Sequence, residues 1–237
     1  MIGIIGAMEV EIKCLLERME IVEVKEVGSI KFHWGTLCGA SVLVAQCRVG
    51  KVNAAHATSV MLTNFDVKSI INVGVAGAVG AELNIGDVVV GTALVQHDVA
   101  ATDFGYALGQ VPGTEGPFFG ACEDLVKTAE KAGSEVLASP DFGGGSRKLH
   151  VGRIATGDQF ISSADKKAVI WNEFGALCAE MEGAAMAQVC ALMDVPFVAI
   201  RAISDKADGT AHEDFPAFVQ ETAKISSAIV MKMVMQF

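Results

Sequence analysis

Acidic residues follow several of the short apolar runs in this chain. Glu11 lies in GAMEVE, Glu182 in EMEG and Asp205 in RAISDKAD, and each motif comes after a run of apolar residues. In an open α/β sheet, ligands bind beyond the carboxyl ends of the strands, so these carboxylates are expected to meet at one edge. Like charges gathered there repel each other unless a ligand or a cation organises them. The sequence therefore predicts a site for a polar ligand.

Each of these carboxylates also has a plain structural interpretation. Acidic residues such as Glu11 favour the first turn of a helix because of its dipole, and Glu182 fits a solvated turn between a strand and a helix. Asp205 could cap a turn. Together with Arg201 and Ser204, however, Asp205 forms a polar cluster at the end of a buried strand, and such a cluster needs partners.

Several common chemistries lack their sequence signatures. The glycines Gly74, Gly77 and Gly80 do not match GxGxxG, and no GxxxxGK[ST] or GxSxG motif is present. These absences disfavour a nicotinamide cofactor, a nucleoside triphosphate site and a serine hydrolase elbow. The five histidines show no spacing typical of metal ligands. We therefore expect neither a metal nor a cofactor.

Elements that position these residues are indicated by hydrophobic periodicity. Short runs rich in Val and Ile alternate with helical patterns, which is typical of a largely buried sheet surrounded by helices. The predicted strands are Ile2 to Ala7, Ile30 to Leu37, Ser41 to Val49, Ser69 to Val73, Asp87 to Leu94, His150 to Ala155, Leu177 to Glu180 and Phe197 to Ile203. The predicted helices are Glu9 to Met19, Val52 to Asn64, Glu123 to Ala132, Ala164 to Phe174, Gly183 to Met193 and Phe215 to Met235, with Ser163 and Asp214 as N-caps. We interpret residues 1–237 as one α/β domain.

Composition restricts the partners and the compartment. The formal net charge of −10 argues against nucleic acid or an anionic membrane, because either needs clustered Lys and Arg. The N-terminal sequence shows no signal-peptide pattern, and no apolar run reaches the ~18 residues of a membrane span. The six cysteines form no CxxC pair. These features predict reduced thiols and a cytoplasmic protein with a small-molecule partner.

The motifs GAMEVE, NVGVAGAVG, GDQFI, EMEGAAMA and RAISDKAD, with the HD..ATDFGY..GQ.PG segment between them, carry a specific resemblance. In this order they resemble the nucleoside phosphorylase and nucleosidase superfamily, and within it the methylthioadenosine/S-adenosylhomocysteine nucleosidases. The resemblance implies a three-layer α/β/α sandwich with a central mixed, twisted sheet. It also implies a homodimer whose subunits share each active site.

The resemblance also implies roles for individual residues. Glu11 would activate the attacking water, Glu182 would bind the ribose hydroxyls, and Asp205 would protonate N7 of adenine. Phe160 would stack on the base, whose edge the backbone of Ile161 would read. The further residues implied are Ser204, which would fix Asp205; Met8, Met181 and Phe215, which would line the ribose and alkylthio pocket; Val49, Ala76, Gly77 and Arg201, which would bind substrate; and Phe104 and Pro112, which would reach the partner subunit's site.

The implied reaction is hydrolysis of the N-glycosidic bond of methylthioadenosine and S-adenosylhomocysteine, with water as the nucleophile. The alternatives are the same chemistry on 6-amino-6-deoxyfutalosine, a purine nucleoside phosphorylase, and a nucleoside-binding protein without activity. A phosphorylase is disfavoured because an acidic motif stands where phosphate would need arginines. Val75, Ala101 and Arg48 depart from the family pattern, and they leave the 5′ substituent of the substrate open.

Overall fold

The computed structural model describes residues 1–237 and contains ten strands and six α-helices. The strands are β1 Ile2–Gly6, β2 Glu20–Val27, β3 Ile30–Leu37, β4 Ala40–Gln46, β5 Ser69–Ala78, β6 Val88–Gln96, β7 Phe118–Gly120, β8 Leu149–Thr156, β9 Ala176–Glu180 and β10 Phe197–Asp205. The helices are α1 Glu9–Leu16, α2 Lys51–Asn64, α3 Glu123–Ala138, α4 Ala164–Phe174, α5 Gly183–Leu192 and α6 Ala211–Val234. All eight predicted strands and all six predicted helices are present, with shifted ends.

The strands form one mixed sheet centred on β5. Strand β5 pairs in parallel with β1 on one side and β10 on the other, and its last residues pair antiparallel with β9. Beyond β1 the sheet continues through β4 and β3 to the edge strand β2. On the other side β10, β6, β8 and β9 lead back to β5, so this half of the sheet closes on itself. This closure brings the ends of β5, β9 and β10 together.

Helices cover both faces of the sheet and complete three layers. On one face α1, α3 and α6 bury Leu15, Leu125 and Ile229 against the sheet strands. On the other face α2 packs against α5 through small residues such as Ala54 and Ala184, which allow a close approach of the two helices. The predicted α/β/α sandwich with a mixed sheet is therefore confirmed. None of the helices combines the length and apolarity that crossing a membrane requires.

Three strand predictions need correction. The glycine motif Gly74 to Gly80 was expected to follow a strand that ends at Val73, but β5 continues through Gly74 and Gly77 to Ala78. Strand β2 was missed because it is an exposed edge strand in which charged residues interrupt the apolar ones. Strand β7 was missed because it is a three-residue strand inside a glycine-rich loop.

The helix ends differ in one informative place. Asp214 is not the N-cap of α6, because the helix begins at Ala211 with Thr210 as its N-cap. Asp214 instead lies in the first turn and accepts a hydrogen bond from Thr210 Oγ1 at 2.8 Å. The observed helix thus begins before the predicted start at Phe215, and Pro216 lies inside it. Ser163 does occupy the N-cap position of α4.

Candidate active site

A cavity of about 460 Å³ opens where β1, β5, β9 and β10 end. Glu11, Glu182 and Asp205, the three carboxylates singled out in the sequence, all line it. The complete lining is Ala7, Met8, Glu11, Val49, Val75, Ala76, Gly77, Phe160, Ala179, Glu180, Met181, Glu182, Ser204, Asp205, His212, Phe215 and Pro216. His212 is the only residue in this lining with a basic side chain, so the cavity presents acidic groups within apolar walls.

Glu11 is held by backbone amides at the start of α1. Its Oε2 accepts hydrogen bonds from the N–H groups of Ala7 at 2.7 Å and Met8 at 2.8 Å, and its Oε1 accepts one from Val75 at 3.1 Å. Burial raises the pKa of Glu11, whereas Arg201 and the three amides act to lower it. A carboxylate with a raised pKa and a fixed position is suited to accept a proton near neutral pH.

A β-bulge in β10 shapes the opposite wall. Arg201 pairs with Gly74 and Asp205 with Gly77, and the register shifts between Ile203 and Asp205. In a regular strand, successive side chains point to opposite faces. Here the extra residue allows Ser204 and Asp205 to line the same cavity.

Hydrogen bonds fix both carboxyl oxygens of Asp205. Ser204 Oγ donates to Oδ2 at 2.9 Å, and the Ala207 N–H donates to Oδ1 at 2.9 Å. Ala207 adopts a left-handed backbone conformation, with φ of 50°. Burial is the main cause that raises the pKa of Asp205, and the charges of Asp214 and Asp208 add to it. Asp205 therefore tends to stay protonated at a higher pH than an ordinary aspartate does.

Two glycines of β5 provide space for these carboxylates. A Cβ atom at Gly74 would lie 2.6 Å from Glu11 Oε1, and one at Gly77 would lie 2.7 Å from Asp205 Oδ1. Both contacts are shorter than a carbon and an oxygen tolerate. The glycine motif thus serves the two acidic groups directly, which its sequence alone did not indicate.

Glu182 is the N-cap residue of α5, and it contacts the segment before α2. Its Oε1 accepts a hydrogen bond from the Gly50 N–H at 2.8 Å. Gly50 has φ of 104°, a conformation that favours glycine. Burial, followed by the nearby charge of Glu180, raises the pKa of Glu182 to about 8.

A buried ion pair lies behind the cavity. Arg201 Nη2 lies 2.5 Å from Glu180 Oε2, and both side chains are 2% exposed. Arg201 also donates to the side chain of Asn72 and, at 3.2 Å, to its backbone oxygen. Arg201 was predicted to bind substrate, but it does not line the cavity. Its guanidinium lies behind Gly74, where a Cβ atom would be 3.5 Å from Cζ. Glu180 lines the cavity, and only its place in EME pointed to it.

The far end of the cavity is aromatic. The ring of Phe160 lies 5.2 Å from that of His212 and 5.9 Å from that of Phe215, measured between centroids. His212 and Pro216 line the cavity without any signal in the sequence. Ile161 lies beside it in a smaller recess of about 40 Å³, which it shares with Phe160 and Asp205.

The remaining predicted residues fall into two groups. Met8, Val49, Ala76, Gly77, Met181, Ser204 and Phe215 line the cavity as expected. Phe104 and Pro112 lie outside it; both are exposed, and Phe104 is 84% exposed. Arg48, which departs from the family pattern, is exposed and forms no salt bridge with the cavity carboxylates.

Comparisons with known proteins agree with this geometry. The sequence profile of the family described as the phosphorylase superfamily matches residues 1–235. The 5′-methylthioadenosine/S-adenosylhomocysteine nucleosidase of Staphylococcus haemolyticus is 39% identical over 236 residues, which covers 99% of each chain. The crystal structure of the same enzyme from Neisseria meningitidis, in complex with methylthio-immucillin-A, has a TM-score of 0.93 at 38% identity and covers 100% of this chain and 99% of its own. The structure of futalosine hydrolase of Helicobacter pylori has a TM-score of 0.91 at 35% identity. The match covers 100% of this chain and 97% of the hydrolase.

Proposed function

This chain belongs to the phosphorylase superfamily, and we propose that it hydrolyses the N-glycosidic bond of 5′-methylthioadenosine and S-adenosylhomocysteine. The products are adenine and the thio-substituted ribose. The observation that carries the proposal is the convergence of Glu11, Glu182 and Asp205 on one cavity with apolar walls. Identity of about 40% to nucleosidases over the whole chain supports the same conclusion.

Water is the proposed nucleophile. A phosphorylase must bind phosphate, and neither Arg nor Lys lines the cavity. Four carboxyl side chains line it instead, and none of them supplies the positive charge that would hold the anion. Glu11 takes one proton from the water as the water oxygen forms a bond to C1′ of the ribose.

Asp205 is the proposed general acid. As the bond from C1′ to N9 breaks, its electron pair moves into adenine, and Asp205 delivers its proton to N7, so that adenine leaves neutral. The raised pKa of Asp205 supports this role because the acid must hold its proton near neutral pH. Positive charge that develops on the ribose is stabilised by nearby ionised carboxylates, and Glu182 is proposed to hold the ribose hydroxyls through hydrogen bonds.

Phe160 is proposed to stack on adenine and Ile161 to bind the base edge through its backbone. Phe104 and Pro112 are proposed to complete the site of a partner subunit in a homodimer. Phe104 is 84% exposed and lies outside the cavity of its own chain, so its ring is free to contact a second copy. We also propose a cytoplasmic location, supported by six free thiols.

Hydrolysis of 6-amino-6-deoxyfutalosine is a second candidate. It is favoured by the similarity to futalosine hydrolase of Helicobacter pylori over the whole chain. The bond broken and the leaving base are the same, so the two candidates differ only in the 5′ substituent. Relative kcat/KM on methylthioadenosine, S-adenosylhomocysteine and aminofutalosine ranks these substrates.

Adenine release from methylthioadenosine in phosphate-free buffer tests the reaction. We expect full activity without phosphate and production of the free thio-ribose rather than its 1-phosphate. Asp205→Asn and Glu11→Gln should each lower kcat by about 10²–10⁴, the usual contribution of a general acid or base. Adenine release that requires phosphate would contradict the hydrolase assignment, and rates like wild type in both variants would contradict the assigned roles.

A further inference from the structure

Three residues near the cavity form a closed ring of hydrogen bonds. Lys51 Nζ lies 2.6 Å from Asp98 Oδ1, and the Asp158 N–H donates to Asp98 Oδ2 at 2.9 Å. The Lys51 N–H in turn donates to Asp158 Oδ1 at 2.9 Å. We call Lys51, Asp98 and Asp158 the clamp. It joins the start of α2 to the segments that follow β6 and β8.

The clamp adjoins both halves of the cavity. Gly50, next to Lys51, donates its N–H to Glu182 Oε1 at 2.8 Å. Phe160, two residues after Asp158, forms the aromatic end of the cavity. The ring therefore links the backbone that contacts Glu182 to the segment that carries Phe160.

The environment makes the clamp stronger than an ordinary surface ion pair. The side chains of Lys51 and Asp98 are only 18% and 13% exposed. The Asp98 carboxylate receives one ammonium and one amide donor, and these hold its pKa below the usual range although burial opposes them. Asp158 also supplies the acceptor that the first turn of α2 lacks, because the N-cap residue Gly50 has no side chain.

We propose that the clamp is a positioning device for the reaction: it sets the place of Gly50, and through it Glu182, relative to Phe160. This proposal rests on the proposed function, in which Glu182 binds the ribose hydroxyls and Phe160 the base. Lys51 and Asp98 touch no part of the cavity. They act through Gly50 and Asp158, so their loss should weaken recognition of the ribose hydroxyls more than it weakens the fold.

The experiment compares substrates that differ only in those hydroxyls. Lys51→Met, Asp98→Asn and Lys51→Arg are assayed in the full-length enzyme on methylthioadenosine and on its 2′-deoxy and 3′-deoxy analogues. The matched control is Lys232→Met, which removes an ion pair with Glu135 at 2.9 Å from the exposed faces of α6 and α3. Melting temperatures are recorded for all variants.

We expect Lys51→Met and Asp98→Asn to lower kcat/KM on methylthioadenosine about tenfold, because a small misplacement of a binding group has an effect of this order. On each deoxy analogue the loss should be smaller, about threefold, since one of the hydroxyls that Glu182 binds is already absent. The ratio of kcat/KM on methylthioadenosine to that on the deoxy analogues should return to the wild-type value in Lys51→Arg. It should stay unchanged in Lys232→Met.

Two outcomes overturn the proposal. One is an equal loss on all three substrates, which indicates a general effect on folding. The other is unchanged discrimination in both Lys51→Met and Asp98→Asn. Failure of the proposed function has a different signature, since the wild-type enzyme would then release no adenine from methylthioadenosine.

Discussion

Substitution of Gly77 by Ala tests how tightly the position of Asp205 is set. The added Cβ atom would lie 2.7 Å from Asp205 Oδ1 and 3.1 Å from Ala207 Cβ. Carbon and oxygen ordinarily approach to about 3.3 Å, so the carboxyl group must retreat by roughly 0.6 Å. The same oxygen accepts the Ala207 N–H at 2.9 Å, and the retreat would strain that hydrogen bond as well.

This displacement is large on the scale of proton transfer. A general acid works over donor to acceptor distances of about 2.6–3.2 Å, and roughly 0.6 Å spans that whole range. Because a misplacement of about 1 Å can lower a rate by about 10²-fold, we expect Gly77→Ala to lower kcat by about 10- to 100-fold. Steady-state adenine release from methylthioadenosine measures the effect.

Gly152→Ala is the matched control. It adds the same methyl group to a glycine of β8, where the Cβ atom would lie 2.6 Å from Leu177 Cδ1, away from the cavity. We expect this variant to retain kcat, although its unfolding midpoint falls. The reasoning fails if Gly77→Ala keeps kcat within about twofold of wild type, or if both variants lose activity equally.

Three further predictions concern the acid, the buried ion pair and the subunits. Ser204→Ala removes a hydrogen bond that stabilises the ionised form of Asp205, so the pKa of this acid should rise further. Asp205 then keeps its proton to higher pH, and the basic limb of kcat/KM against pH should shift upward; an unmoved limb contradicts the assignment. Arg201→Met leaves Glu180 buried without its cationic partner, which should cost about 3–5 kcal/mol in the free energy of unfolding by urea. Lys232→Met, at an exposed pair, should cost at most about 1 kcal/mol, and an equal loss in both variants would argue against a special role for burial. Finally, Phe104→Ala subunits are mixed with Asp205→Asn subunits, and we expect the mixed dimers to recover activity. One of their two sites then combines an intact Asp205 with the partner's intact Phe104. No recovery after subunit exchange contradicts the shared site.

The layers of the fold could be predicted because burial leaves a direct trace in the sequence. Strand β1 is a continuous apolar run and β5 is largely apolar, since both faces of each strand are covered. Strand β2 escaped prediction because an edge strand that faces solvent needs no such run. The closure of half the sheet through β10 and β5 also leaves no local trace, since pairing between distant strands is not encoded in either strand alone.

The carboxylates were predicted correctly as neighbours because each lies at the end of a buried strand or at the start of the following helix. Arg201, predicted to bind substrate, lies outside the cavity lining for a related reason. It is in β10, but alternation and the partner Glu180 turn its side chain behind the cavity. His212 and Pro216 could not be predicted because they reach the site only through the direction of α6. The roles of the site residues and the single-domain organisation remain predictions.

The bulge in β10 has a consequence for molecular evolution. Because it presents Ser204 and Asp205 on one side, two neighbouring codons encode the acid and the hydroxyl that modulates it. Deletion of one codon between Ile203 and Asp205 would restore regular pairing and leave one cavity-facing position in place of two. Selection at this point of the gene therefore acts on the number of residues as strictly as on their identity.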